Sequence, residues 1–200
     1  NYIDRHFDVV NNVLRLYFNQ IDSTFSAVLG VNGGKYFVNP HIAASDTTSQ
    51  YAGGNNVATK VKWNTLEAGS GFTLNADGSA TPEASGTYKI DYSLQFVNTN
   101  NAQEDIYVWL RVDGANVPRS ASKFTVPARK SAGVYGYLIA YSSITFPIVA
   151  GQDITLYWQT DKAYNPVGPV DGVYMQDIAA ASNYPESPSA VGTITFVSAL

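Results

Sequence analysis

The chain has no cysteine in its 200 residues. That excludes a disulfide framework and a thiol nucleophile, and it favours a protein folded in a reducing compartment. Charge is scarce as well. Only 14% of residues are Asp, Glu, Lys or Arg, against roughly 25% in ordinary globular chains. The net charge is −4, and Lys and Arg are scattered without a basic stripe, so no nucleic-acid partner is expected. No stretch approaches the ~18 apolar residues of a membrane span, and no signal peptide is expected ahead of the first element. No membrane partner is therefore expected. Histidine is limited to His6 and His41, neither of them in a catalytic or metal motif. There is no Gly-x-Ser-x-Gly elbow and no Asp-x-Asp-x-Asp-Gly calcium loop. Glu104, Asp105, Asp153, Asp161, Asp171 and Asp177 are present, but nothing in the sequence pairs two of them as glycoside hydrolysis requires. The expectation is a non-enzymatic chain without cofactor or metal.

What is present divides at Gly30. Before it, Ile3, Phe7, Val10, Leu14, Tyr17, Ile21, Thr24 and Val28 recur at alternating steps of four and three. That 3.5-residue period describes a helix with a seam facing other helices. The helix is expected from about Ile3 to Leu29, with Asp4 and Asp8 near its positive end and Gly30 as its stop. Val9, Val13, Leu16, Phe18 and Phe25 widen the stripe. A trimeric bundle accounts for this, and large aromatics at Phe7 and Tyr17 fit three helices more easily than two. A helix that packs both on its copies and on a neighbouring protein is a second reading. A core helix lying across the β-domain of its own chain is a third.

After Gly33-Gly34, Lys35–Val38 is expected as a short strand. Ala43–Asn56, rich in Ala, Ser, Thr and Gly, is expected as a linker that lets the head turn relative to the stem. From Val57 onward, short alternating runs are separated by turn dipeptides such as Asp77-Gly78 and Asp113-Gly114. The clearest is Gly86–Phe96, with Tyr88, Ile90, Tyr92, Leu94 and Phe96 on one side. Ile106–Val112, Tyr135–Ile148, Ile154–Trp158 and a last strand with Ile194 and Phe196 follow. Thr160–Pro188, with four prolines, is expected as a long loop. Forty-five per cent hydrophobic content suffices for one core. The fold class is mainly β: an antiparallel jelly-roll β-sandwich preceded by one N-terminal α-helix. The expected parts are a helical stem or anchor over 1–34, a linker and short strand over 35–56, and a head over 57–200.

Tyrosine, with 14 copies, is the main candidate for contacts. Tyr88 with Tyr92, and Tyr135 with Tyr137 and Tyr141, are expected to share strand faces. Sugar stacking and burial between subunits both fit; the second is favoured, because tyrosine joins large apolar area to a polar tip. Tyr164, Tyr174 and Tyr184, in the expected long loop, are candidates for an exposed ligand contact.

Four segments carry a resemblance. "SGFTLNADGSATPEASGTYKIDYSLQF" (Ser70–Phe96), "VWLRVDGANV" (Val108–Val117), "ITFPIVAGQDITLYW" (Ile144–Trp158) and "SAVGTITFVSAL" (Ser189–Leu200) resemble the trimeric jelly roll of complement-type globular heads and tumour necrosis factor-like ligands. "LRLYFNQID" and "VLGVNGGKYF" look like segments that precede such heads in virion proteins of tailed phages, particularly those infecting cyanobacteria. The resemblance implies a homotrimeric structural protein of the virion, tail- or fibre-associated or a capsid decoration. Its oligomer interface would include Ile3, Phe7, Val10, Leu14, Tyr17, Ile21 and Val28, with the helix docking on other virion proteins. A carbohydrate-binding adhesin recognising host-surface glycan is the alternative. Unlike the extracellular relatives, the chain has no collagenous repeat, so their receptor-binding positions do not carry over.

Overall fold

The computed structural model describes residues 2–29, 39–168 and 170–199. It comprises two units, Asn1–Asn39 and Pro40–Leu200. The first holds one helix, α1 (Tyr2–Leu29), about 42 Å long at 1.5 Å per residue. Phe7, Val10, Leu14, Tyr17 and Ile21 are all exposed on it, as are Val9, Val13, Leu16 and Phe18. Thr24, the polar member of the heptad series, donates its hydroxyl to the Gln20 carbonyl at 2.8 Å, which hides the polar atom against the helix backbone. Ile3 and Val28 belong to the helix, but their side chains lie outside the described residues. So do the expected stop at Gly30, the Gly33-Gly34 break and the expected strand Lys35–Val38.

The second unit is mainly β, in two antiparallel sheets of seven strands each. The first sheet contains β1 (His41–Asp46), β2 (Gln50–Tyr51), β4 (Thr65–Ser70), β7 (Gly86–Asn98), β11 (Gly136–Ile148), β13 (Val173–Met175) and β14 (Ala190–Ser198). The second contains β3 (Thr59–Lys60), β5 (Phe72–Leu74), β6 (Ala80–Pro82), β8 (Glu104–Val112), β9 (Ala115–Asn116), β10 (Ser122–Val126) and β12 (Ile154–Thr160). Together the two sheets are consistent with a β-sandwich. Period-two alternation builds the core. Along β7, Tyr88, Ile90, Tyr92, Leu94 and Phe96 are buried, while Lys89, Asp91, Ser93 and Gln95 face outwards. Ile106, Val108 and Leu110 of β8 and Leu156 and Trp158 of β12 join the same apolar cluster. Phe96 meets Trp158 edge to face, with ring centroids 5.2 Å apart. At Asp113-Gly114 both residues have positive φ, 49° and 77°, as a tight hairpin between β8 and β9 demands.

Three expectations are corrected. Ala43–Asn56 is not a linker. Ala43–Asp46 lies in β1, hydrogen-bonded to β14 on one side and β4 on the other, and the unit begins at Pro40 rather than 57. Its small polar residues suit a flanked strand because their polar atoms are satisfied. Ser45 donates to Glu67 at 2.6 Å, and the buried Asp46 carboxylate accepts the Thr48 amide at 2.7 Å. Next, Thr160–Pro188 is not one loop, since β13 within it pairs with β7 and β2. Finally, Tyr88 and Tyr92 are 0% and 1% exposed inside their own chain's core, so neither is an interface residue. They alternate with the polar side of β7, and the core side of that strand is closed by the second sheet.

Truncating Phe96 to Ala should lower the unfolding free energy by about 3–5 kcal/mol, read from the denaturant midpoint, because it empties the Trp158 contact. Amides of β1 should exchange as slowly as those of β7. Fast exchange across Ile42–Ala44 would mean that β1 is not held between two partners.

Candidate functional site: a tyrosine face on the first sheet

The outer side of the first sheet is organised by β7. All 13 residues of β11 pair with it, from Gly136 opposite Asn98 to Ile148 opposite Gly86. Antiparallel partners directly opposite one another share a face. Tyr137, Ile139 and Tyr141 of β11 therefore stand beside Val97, Gln95 and Ser93 of β7. All three are exposed, between 55% and 64%. On the other flank of β7, Tyr174 of β13 sits opposite Val97, and Tyr51 of β2 sits opposite Tyr174. One row thus crosses four strands: Tyr137, Val97, Tyr174, Tyr51. Val97 is fully buried beneath it.

Tyr164 joins through a bridge between Ala163 and Val173. Tyr51, Tyr164 and Tyr174 then form a closed triangle of rings. Their centroids are 5.4 Å apart for Tyr51–Tyr174, 5.9 Å for Tyr51–Tyr164 and 4.9 Å for Tyr164–Tyr174. These are ordinary aromatic pairing distances. The supporting loop is pinned to the end of β7: Thr99 and Gly172 exchange backbone and side-chain hydrogen bonds at 3.0–3.3 Å, and Arg129 pairs with Asp171 at 3.0 Å. Gly172 is obligatory here, because a Cβ on it would lie 2.4 Å from the Ala163 carbonyl carbon.

Burial raises the Tyr174 phenol to about 12, helped by the phenols of Tyr51, Tyr164, Tyr135 and Tyr137 around it. The face changes character along its length. Beyond Tyr141, whose hydroxyl meets Asp91 at 3.1 Å, come the Lys89–Asp91 ion pair at 2.9 Å and the hydroxyls of Ser143, Thr145, Thr193 and Thr195. One end is aromatic and aliphatic; the other is polar.

Residues expected to act apart thus come together. Tyr135 and Tyr137, expected at a subunit interface, and Tyr164 and Tyr174, expected in a ligand loop, belong to one patch. Tyr184 does not; it closes a separate turn with Ala181. Sequence reasoning does not single out Tyr51, because it lies in the segment expected as a linker. Among the described residues no group of three or more His, Cys, Asp or Glu side chains could hold a metal ion. No helix among them is long and apolar enough to cross a membrane.

No protein-family model matches the chain, and no curated protein matches it.

The raised Tyr174 pKa fixes a direction of pH dependence. An unfolded tyrosine ionises near 10.0 and the folded Tyr174 near 12, so the unfolded state releases its proton first as pH rises. The group's contribution to stability is intact below pH 10 and is lost between pH 10 and 12. Tyrosinate absorbance should show a late-titrating phase, to which burial of Tyr88 and Tyr92 also contributes, and that phase should shrink by one phenol in Tyr174→Phe. A Tyr174→Phe protein with an unchanged late phase would refute the assignment.

Proposed function

We propose that the chain is a homotrimeric, non-enzymatic structural protein of a tailed-phage virion, with a jelly-roll head and a helical stem that docks on other virion proteins. The observation that carries this reading is a head with a complete core of its own that still exposes a second apolar face. Tyr51, Tyr137, Ile139, Tyr141 and Val191 are between 40% and 64% exposed on one side of one sheet. An apolar patch of this kind marks a partner surface. A specific interface buries about 800 Å² per partner, and aromatic residues with few charges are what its centre contains.

The jelly-roll reading is supported by nested pairing. Take the eight strands β1, β6, β7, β8, β10, β11, β12 and β14. The first pairs with the last, β6 with β12, β7 with β11, and β8 with β10. A long hairpin wrapped into two sheets gives this order, 1-8-3-6 in one and 2-7-4-5 in the other.

The stem supports the same symmetry. Phe7, Val10, Leu14, Tyr17 and Ile21 follow a heptad and are exposed on the single chain. A surface this apolar is held in water only when covered, and three helices leave room on the axis for Phe7 and Tyr17. Val9, Val13, Leu16 and Phe18 lie beside the seam, where another virion protein would cover them.

Sedimentation equilibrium should give a trimer at micromolar concentration. Tyr137→Asp with Ile139→Asp should weaken head association while leaving the head folded, because neither side chain enters its core. Leu14→Asp with Ile21→Asp should weaken the stem. A wild-type protein that stays monomeric at micromolar concentration contradicts the trimer.

A further inference from the structure

A second aromatic group occupies the outer face of the other sheet, away from the tyrosine face. Lys123, Tyr107 and Gln159 stand in one register row across β10, β8 and β12, and Trp109 and Tyr157 in the next. Trp109 is half-buried, yet its ring is fixed three ways. It stacks on Tyr157 with centroids 6.1 Å apart. The Arg111 guanidinium lies 4.0 Å over Tyr157 and 5.7 Å from Trp109. The indole N–H donates to Asn116 Oδ1 at 2.9 Å, and the same oxygen accepts Arg111 Nε at 2.8 Å. A ring held in one orientation has little freedom left to lose when something stacks on it.

In front of this ring is a shallow cleft of about 290 Å³, bounded by Tyr107, Trp109, Asn116, Arg119 and Gln159 among others. No carboxylate lines it. Arg119 makes no ion pair or hydrogen bond among the described residues. It sits at φ 64°, a left-handed backbone that long side chains seldom adopt. Ser120 secures it: its hydroxyl accepts the Leu110 amide at 3.0 Å and donates to the Val117 carbonyl at 2.8 Å. With its oxygen engaged by Trp109 and Arg111, Asn116 keeps its amide protons for a ligand. The Gln159 amide is likewise unengaged among the described residues. Lys123, by contrast, is neutralised by Asp105 at 2.5 Å.

We propose that this cleft is a binding site for an acidic oligosaccharide, with a sugar ring against Trp109 and a hexuronate carboxylate on Arg119. The chemistry selects this class. A flat aromatic wall suits the C–H face of a pyranose. Asn116 and Gln159 suit its hydroxyls. A free guanidinium presents paired N–H donors in the geometry of a carboxylate. The cleft is open and shallow, so a chain can run through it and no buried pocket is needed. The site adds to the structural role proposed above and does not depend on it, since the residues of the two faces do not overlap.

The test is calorimetric titration of the full chain with tetrasaccharides of galacturonate, glucuronate and mannuronate, each beside its neutral hexose counterpart. At least one acidic series should bind with a Kd below about 1 mM and weaken as salt is raised. Arg119→Gln should weaken acidic binding by about tenfold, the effect of one charge-assisted contact, and leave the neutral series unchanged. Trp109→Ala should remove binding of both while the sedimentation profile stays that of the parent. Arg119 is exposed on a loop, so its variant carries the test even if Trp109→Ala fails to fold. No binding by any acidic series below about 1 mM, equal binding of the neutral series, or acidic binding untouched by Arg119→Gln overturns the proposal.

Discussion

The alternation of β7 is the constraint on which the rest depends. Its 13 residues run through the first sheet with hydrogen-bonded partners on both sides: β11 along its whole length, and β14 then β13 on the other flank. A side-chain period of two means that one choice of register sets two surfaces at once. Turning Tyr88, Tyr92, Leu94 and Phe96 inwards makes the core against β8 and β12. The same choice turns Lys89, Asp91, Ser93 and Gln95 outwards, and the pairing then lines Tyr137, Ile139 and Tyr141 up beside them. A slip of one residue would expose the core aromatics and bury Asp91 and Lys89. Core packing and the outer tyrosine face are therefore two consequences of one register.

This explains which parts were legible in the sequence. The strands rich in large apolar residues could be read directly, β7 and β8 by their alternation, β11 as a long apolar run, and β12 and β14 by their spaced apolar residues, as could the turn at Asp113-Gly114. β1, β2 and β13 could not. β1 holds a Ser and an Asp at buried positions, made tolerable by Glu67 for Ser45 and Asn64 for Asp46, both about twenty residues away, together with Thr48, two residues beyond Asp46. β2 and β13 are two and three residues long, too short for a period to register. They exist because β7 outlasts β14 and leaves its last residues, Phe96–Asn98, for β13 to pair with.

The same logic governs the candidate site. Tyr137 and Tyr141 could be placed on one face from β11 alone, because they are an even number of residues apart. Tyr174 and Tyr164 are legible only as loop tyrosines, and Tyr51 not at all, since what unites them is pairing between segments about 120 residues apart. Tyr88 shows the opposite case. Tyrosine on a strand reads as half-exposed, but the Tyr88 hydroxyl reaches the Ala84 carbonyl at 2.7 Å. A phenol with its hydrogen bond satisfied locally can sit wholly inside.

Two aromatic surfaces on one small domain require different explanations, and their neighbours separate them. On the first sheet the tyrosines stack mainly on one another and stand beside exposed aliphatic side chains, Ile139 and Val191, with the nearest charges paired off as Lys89–Asp91. A surface with that composition is emptied of water by another apolar surface, as at the centre of a protein interface. On the second sheet the aromatics are interleaved with cations and amides: Arg111 over Tyr157, Lys123 within 5.6 Å of the Tyr107 ring, Asn116 on Trp109. Covering that surface with a flat apolar partner would strand Arg119 and the Gln159 amide without hydrogen bonds, at a cost of about 1–3 kcal/mol for each neutral group and more for the charge. In the assembly proposed above it is therefore the surface that would stay wet, and the one from which a polar, hydroxyl-rich ligand could be held.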